Sequence, residues 1–193
     1  MTAFIKPPSK IPFLLRLGIW MSDKITGKEL EVPRLLSWYP KVAISSAVME
    51  SLVAHRDKNL SKRMLKLVRM QASFSVSCPF CVDMNSSEYE KSGITSEELA
   101  ALMDSDLIES TYTFTHRETI ALEYTRLISK SPLAFPSELI KSLKENFTER
   151  EIVILASTAA QVNYWARLIQ ALGVPPAGFA GSCQLPEEEE WKN

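Results

Sequence analysis

The sequence predicts an all-α protein, a packed bundle of helices. Apolar residues recur at helical spacing instead of alternating as they do in strands. Glycine accounts for only 6 of the 193 residues. Three capping boxes, each a threonine followed three residues later by a glutamate, open helices at Thr95, Thr115 and Thr148. The length predicts one domain over residues 1–193, with its core at about 40–175.

The first half of the chain predicts four helices. An amphipathic segment over residues 11–25 ends near Gly27, which suits a helix C-terminus. Short helices are expected after Pro33 and Pro40, because proline is tolerated in the first turn of a helix. Residues 59–76 then form a long helix with one apolar face.

A pair of cysteines, Cys78-Pro79-Phe80-Cys81, opens the next predicted helix. Residues three apart share a helix face, so the two sulfur atoms can meet. Pro79 suits the first turn, where its missing N–H is no loss. The free N–H groups of that turn carry partial positive charge and favour a thiolate over a thiol. The pair therefore predicts a reversible dithiol/disulfide.

The second half continues as helices. Pro132 and Pro136 bracket a loop and a short helix. The box at Thr148 opens the last long helix, which runs to about Leu172 and is stopped by the glycine that follows. The tail from Pro175 is expected to be irregular, since it combines prolines, a glycine and an acidic run.

Composition excludes several classes of function. The net charge of −1 gives no reason to expect nucleic acid or an anionic membrane as a partner. No apolar run is long enough to span a bilayer, and Pro7 and Pro8 interrupt the start, so it does not read as a secretory signal. A cytoplasmic location is expected, where a cysteine pair is more often catalytic or metal-binding than a structural staple.

Two other interpretations of the pair stand beside the redox one. Free cysteines are often buried in a core, where they act as small apolar residues. A zinc site would need about four ligands, and the rest of the chain offers only Cys183, His55 and His116, none at ligand spacing. We expect no metal and no cofactor.

Three polar residues are candidate helpers of the thiols. Asn85 lies four residues after Cys81 on the same helix face and could donate a hydrogen bond, but it cannot act as a base. Glu118 could act as one if its carboxylate turned toward the cysteines, but the capping box of Thr115 is the favoured explanation of this residue. His116 could supply a base from the same first turn, where a positive charge is unfavourable.

The long helix leading into Cys78-Pro-Phe-Cys81-Val-Asp-Met-Asn85 resembles the alkylhydroperoxidase AhpD-like, carboxymuconolactone decarboxylase family. The stretch Phe114-Thr-His-Arg-Glu118 and the later Asn163-Tyr164, Arg167 and Leu172-Gly-Val-Pro175 resemble one branch of it. Together these segments cover residues 60–180. The resemblance implies an AhpD-like helical bundle, usually assembled into oligomers.

The resemblance also implies a thiol peroxidase mechanism. Cys81 would attack a hydroperoxide or another small-molecule substrate and become a sulfenic acid, and Cys78 would then condense with it to a disulfide. A dithiol electron donor would reduce the pair again.

The sequence departs from the family at its proton relay. The family carries a histidine four residues after the second cysteine, where this chain has Asn85. It also carries a glutamate about a dozen residues before the first cysteine, within a stretch that here, from Met64 to Arg69, contains no acid. Peroxidase activity should therefore be weak, because general-base help is worth about 10²–10⁴-fold. A non-catalytic redox sensor in a helical oligomer and a cysteine-independent lactone decarboxylase are the alternatives.

Apolar and aromatic residues crowd the N-terminal region and predict a homo-oligomer. Some of them should cover the core and some should form a subunit interface. The residues are Phe13, Leu14, Leu17, Trp20, Leu35, Leu36, Trp38 and Tyr39.

Overall fold

The computed structural model describes residues 2–52, 55, 57–104 and 113–180, and these form helices and turns with no strand among them. The fold is all-α, which confirms the predicted class. Cys183 and the acidic run at 187–190 lie outside the described residues. The helices are α1 (Phe13–Thr26), α2 (Glu31–Leu36), α3 (Pro40–Leu52), α4 (Lys62–Ser75), α5 (Pro79–Ser86), a 3₁₀ turn (Tyr89–Ser92), α6 (Ser96–Met103), α7 (His116–Ile128), α8 (Ser137–Asn146) and α9 (Glu149–Ala171).

Helix α4 lies at the centre of the fold and contacts α5, α6, α7 and α9. Its apolar side chains contribute to two neighbouring clusters. Leu65 and Val68 pack with α7, α8 and α9, whereas Leu67 and Met70 pack with α5, α6 and α7. A third cluster surrounds the cysteines and draws on α2, α5, α9 and the segment after α9. The end of this central helix, at Ser75, therefore determines the position of Cys78 and of the start of α5.

All three predicted capping boxes are present, at Thr95, Thr115 and Thr148. In each box the threonine hydroxyl accepts the N–H of the glutamate three residues on, and that carboxylate accepts the threonine N–H. These local signals were sufficient because both partners of each box lie within one helical turn.

The glutamates of these boxes are buried and bind arginines from other helices. Arg63, in the first turn of α4, donates to Glu98 at 2.6 Å and to Glu118 at 2.8 Å. Arg117 donates to Glu151 at 2.6 Å. The carboxylates that start α6, α7 and α9 thus also tie these helices to their neighbours, which their spacing in the sequence did not reveal.

Three predicted boundaries are wrong. Helix α2 begins two residues before Pro33, which occupies its third position, where the ring still fits because first-turn N–H groups have no intrahelical partner. Helix α3 begins at Pro40 but runs for 13 residues and is not short. The segment between Pro132 and Pro136 is not helical, and α8 starts only after Pro136.

Helix α1 is confirmed close to its predicted bounds, with Gly27 in the left-handed conformation at its C-terminus. One side of it is apolar and faces away from the core: Phe13 is 70% exposed and Trp20 57% exposed. Among the described residues, no helix combines the length and the apolar character needed to cross a membrane.

Candidate functional site

The cysteine pair lies at the start of α5. Cys78 is the N-cap residue and Pro79 takes the first helical position, as the sequence predicts. The chain reaches this position through a tight turn in which Ser77 has a positive φ of 47° and the Cys78 N–H donates to the Ser73 carbonyl at 3.3 Å. The turn joins the end of α4 directly to the cysteine-bearing helix.

The two sulfur atoms are joined as a disulfide, with Cα atoms 5.2 Å apart. The Cys81 N–H also donates to the Cys78 sulfur at 3.3 Å, so this sulfur occupies the place of a capping oxygen. Free N–H groups at a helix start stabilise negative charge. The same position that permits the disulfide therefore favours a thiolate after reduction.

Both cysteines are nearly sealed from solvent, with Cys78 0% and Cys81 4% exposed. They share an apolar cluster with Leu35 of α2 and with Ala166 and Ile169 of α9. Val174, Ala177 and Phe179, from the segment after α9, complete this cover. A reactant can touch either sulfur only after part of the cover moves.

Asn85 lies beside the pair but does not offer a base. Its amide donates to the Ser73 hydroxyl at 2.9 Å, and that hydroxyl donates in turn to the Arg69 carbonyl at 2.8 Å. This chain of hydrogen bonds links α5 to α4 through groups that do not titrate near neutral pH.

Lys66, twelve residues before Cys78, occupies the region where the resemblance would require a glutamate. Its ammonium donates to the Ser87 carbonyl at 2.7 Å. Burial lowers the pKa of Lys66, the nearby Arg69 lowers it further, and Glu88 opposes the change. A cation therefore stands in place of the acid.

Glu118 and His116 are placed at the other end of α4. Glu118 binds Arg63, which lies ten residues before Ser73, a rise of about 15 Å along the helix. Its second oxygen accepts the Thr115 N–H at 2.9 Å. His116 is exposed at the first position of α7. The structure brings together Cys78, Cys81 and Asn85, and it keeps Glu118 and His116 apart from them.

Two further groups at the site were not identified from the sequence as partners. Asp83, two residues after Cys81, accepts the backbone N–H groups of Ala177 and Ala180 at 2.9 and 2.8 Å. Lys28 donates to the Ala177 carbonyl at 2.8 Å and to that of Gly178. All four bonds cross more than 90 residues of sequence, and no local pattern encodes them.

Other polar residues that the sequence offered lie elsewhere. His55 shares a hydrogen bond of 3.0 Å with Ser157, and burial, together with Arg69 and Arg150, lowers its pKa. Asn163 donates to the Ser129 hydroxyl at 2.9 Å, which ties α9 to the end of α7. Within the described part of the chain, no three side chains of His, Cys, Asp or Glu are grouped to hold a metal ion.

Comparisons with known proteins were made by sequence and by structure. No family model matches the sequence. The uncharacterized protein YdfG of Bacillus subtilis (strain 168) is 26% identical over 119 residues, which is 61% of this chain and 79% of YdfG.

Solved structures match over almost the whole length. An uncharacterized peroxidase-related protein with an alkylhydroperoxidase AhpD core, from Ralstonia eutropha JMP134, has a TM-score of 0.76 at 16% identity, over 91% of this chain and 93% of that one. A peroxidase-related protein from Silicibacter sp. TM1040 has a TM-score of 0.77 at 15% identity, over 93% and 94% of the two chains. The chain has the AhpD-like fold.

The AhpD-like fold is shared by proteins with different activities. The debrominase Bmp8 has a TM-score of 0.73 at 14% identity, over 90% of this chain and 92% of Bmp8. The fold therefore confirms the resemblance seen in the sequence without assigning a reaction. The chemistry must be argued from the cysteine pair and its surroundings.

Proposed function

We propose that the chain is a thiol-dependent oxidoreductase of the AhpD-like type, in which Cys78 and Cys81 cycle between dithiol and disulfide. The observation that supports this most directly is the disulfide itself, formed across the first turn of α5 with Cys78 as the cap. A buried structural staple would join distant segments, whereas this bond closes a loop of four residues and constrains the unfolded chain little.

The proposed substrate is a hydroperoxide, ROOH. The Cys81 thiolate attacks the terminal oxygen and the O–O bond breaks, so that Cys81 becomes a sulfenic acid and RO⁻ takes a proton from water and leaves as ROH. The Cys78 sulfur attacks the Cys81 sulfur, releasing water and forming the disulfide. A dithiol donor then reduces the pair and is itself oxidised to a disulfide.

Turnover should be slow, because a cation and an amide occupy the positions of the family relay. Lys66 donates to the Ser87 carbonyl, at the end of α5 away from Cys78, and the amide of Asn85 cannot accept a proton. Neither Glu118 nor His116 belongs to the proposed reaction, since Glu118 is bound by Arg63 and Thr115, and His116 sits beside it at the start of α7.

Mass spectrometry of the reduced protein tests the proposal. One equivalent of hydroperoxide should remove two alkylatable thiols and lower the mass by about 2 Da, as expected for one disulfide. In Cys78→Ser a sulfenic-acid probe should label Cys81, and in Cys81→Ser it should label nothing. Cys183→Ser is the control and should behave as the wild type. If Cys78 and Cys81 both stay alkylatable after hydroperoxide, the proposal is lost.

A non-catalytic redox sensor is the second candidate, and the near-complete burial of both sulfurs together with the lack of a base favours it. Steady-state assays with excess hydroperoxide and a dithiol separate the two. An oxidoreductase turns over repeatedly and loses activity in Cys81→Ser. A sensor consumes one equivalent of hydroperoxide and stops.

We also propose that the chain forms a homo-oligomer in the cytoplasm, where dithiol donors are plentiful. The exposed apolar side of α1 supports the assembly, since Phe13, Leu14, Trp20 and Ile25 would be covered by a second copy. Sedimentation should show more than one chain per particle, and a monomer at micromolar concentration would contradict this.

A further inference from the structure

The segment from Val174 to Ala180 lies across the cysteine pair. It leaves α9 through Gly173, contains no helix, and contributes Val174, Ala177 and Phe179 to the apolar cluster around the two sulfurs. We call residues 174–180 the strap. Because Cys78 and Cys81 are almost fully enclosed, the strap forms part of the barrier between the disulfide and solvent.

Asp83 fastens the strap to α5. One carboxylate oxygen accepts the Ala177 N–H and the other accepts the Ala180 N–H, at 2.9 and 2.8 Å. Asp83 is only 5% exposed, so its charge is satisfied by the strap backbone instead of by water. This carboxylate stands two residues from Cys81 on the same helix.

Lys28, between α1 and α2, binds carbonyl groups of the same segment. Its ammonium donates to the carbonyls of Ala177 and Gly178 and lies 5.2 Å from the centre of the Phe179 ring. The two anchors thus hold N–H and C=O groups of Ala177, Gly178 and Ala180, in a segment that is not helical.

The remaining cover is built differently. Leu35 belongs to a helix that is fixed by the ion pair of Arg34 with Asp23 at 2.7 Å, and Ala166 lies in the middle of the 23-residue helix α9. Moving either would disrupt helical packing, whereas moving the strap breaks the bonds of Asp83 and Lys28, a few apolar contacts and the hydrogen bond from the Val174 N–H to the Ile169 carbonyl at 3.1 Å. Local opening follows the least costly route.

We propose that the strap is a gate over the disulfide and that Asp83 and Lys28 are positioning residues that keep it shut. Opening exposes the pair to a dithiol, whose thiolate attacks one sulfur, forms a mixed disulfide and releases the other cysteine as a thiolate. The second thiol of the donor then attacks the donor sulfur of the mixed disulfide and displaces the remaining cysteine, so that Cys78 and Cys81 are reduced and the donor leaves as a disulfide. The gate rests on the proposed function only in that the pair must exchange electrons with an outside thiol.

The rate of reduction of the disulfide by dithiothreitol tests the gate without any peroxidase assay. Samples of oxidised protein are quenched with an alkylating agent, and the fraction of modified Cys78 and Cys81 is followed by mass. In Asp83→Asn the amide turns a donor toward a backbone N–H, and in Lys28→Met both carbonyl contacts are lost. Each variant should be reduced about tenfold faster, since each loses hydrogen bonds to a charged group that only the closed strap makes.

Matched controls separate the gate from a general loss of stability. Asp57→Asn removes another carboxylate that accepts a backbone N–H, from Asn59 at 2.9 Å, and Lys141→Met removes an exposed ion pair of α8. Both should be reduced at the wild-type rate. Phe179→Ala, which thins the strap and removes the ring beside Lys28 but leaves the hydrogen bonds of both anchors in place, should also be reduced faster, and it carries the test together with Lys28→Met if Asp83→Asn does not fold.

Unchanged reduction rates in Lys28→Met and Phe179→Ala overturn the gate. Acceleration in Asp83→Asn alone also overturns it, because the effect would then belong to α5 and not to the strap. Accelerated reduction in a protein that ignores hydroperoxides would keep the gate and sink the proposed function. Normal oxidation by hydroperoxide with unchanged reduction rates would keep the proposed function and overturn the gate.

Discussion

Replacing Glu118 by glutamine separates a structural carboxylate from a catalytic one. One oxygen of Glu118 accepts the Arg63 Nε–H at 2.8 Å, and the other accepts the N–H and hydroxyl of Thr115 at 2.9 and 3.0 Å. A glutamine keeps one acceptor and turns an NH₂ group toward a donor. The ion pair and half of the capping box are lost together.

The size of the effect follows from these contacts. Breaking a buried ion pair costs about 3–5 kcal/mol when one charge is left behind. The lower end applies because the Arg63 side chain is 23% exposed and keeps its bonds to Glu98. We therefore expect Glu118→Gln to lower the free energy of unfolding by about 3 kcal/mol, and the melting temperature by about 6–12 °C for a chain of this length.

Urea unfolding followed by circular dichroism measures the free energy of unfolding. Thiol alkylation at intervals after addition of hydroperoxide measures the rate at which Cys81 is oxidised. Glu145→Gln, which removes an exposed ion pair with Lys141, should leave both unchanged. Glu118→Gln should lose stability while Cys81 is oxidised at the wild-type rate. A variant of normal stability with slow oxidation would refute the reasoning and make Glu118 a base.

Three further changes have defined outcomes. Gly173→Ala should cost about 1–2 kcal/mol in urea unfolding, because φ is +65° and the new methyl would displace the Phe4 ring; unchanged stability would contradict this. Burial acts to raise the pKa of Glu98, but hydrogen bonding to Arg63 lowers that pKa below the usual 4.5. The stability that the charged carboxylate provides is therefore present at pH 7 and is lost as the pH falls through the folded-state pKa. The gap in unfolding free energy between wild type and Glu98→Gln should thus narrow as the pH falls below 4.5 toward the lowered folded-state pKa, and a constant gap would count against it. Asn85→His should raise the rate of Cys81 oxidation by hydroperoxide at least about tenfold by supplying a base beside Ser73, and an equal rate would show that this position cannot serve the sulfur.

The sequence predicted those features whose partners lie within a few residues of each other. The three capping boxes and the cysteine-bearing helix start are of this kind, because one turn of helix contains every group involved. The AhpD-like fold was predicted through the motif around Cys78 and Cys81 and is confirmed by solved structures.

The sequence could not predict features that depend on distant contacts. Asp83 could be explained by the charge at a helix start, and only the folded chain shows it bound to Ala177 and Ala180. Burial of Cys81 beneath the strap has the same origin. The length of α3 was missed because the helix has no clear apolar stripe: Ile44 and Val48 are exposed, and a polar residue, Ser46, is buried and bonds Tyr164 of α9.

Arg63 binds the glutamates of two capping boxes, and this affects how the protein unfolds locally. Arg63 joins the beginnings of α4, α6 and α7 at one point, so none of these helix starts can fray without giving up a bond that the others also use. Amide hydrogen exchange should therefore show the first turns of the three helices opening together as one cooperative unit. In Arg63→Lys the planar guanidinium that binds two carboxylates is lost, so the amides in the first turns of α4, α6 and α7 should exchange independently of one another.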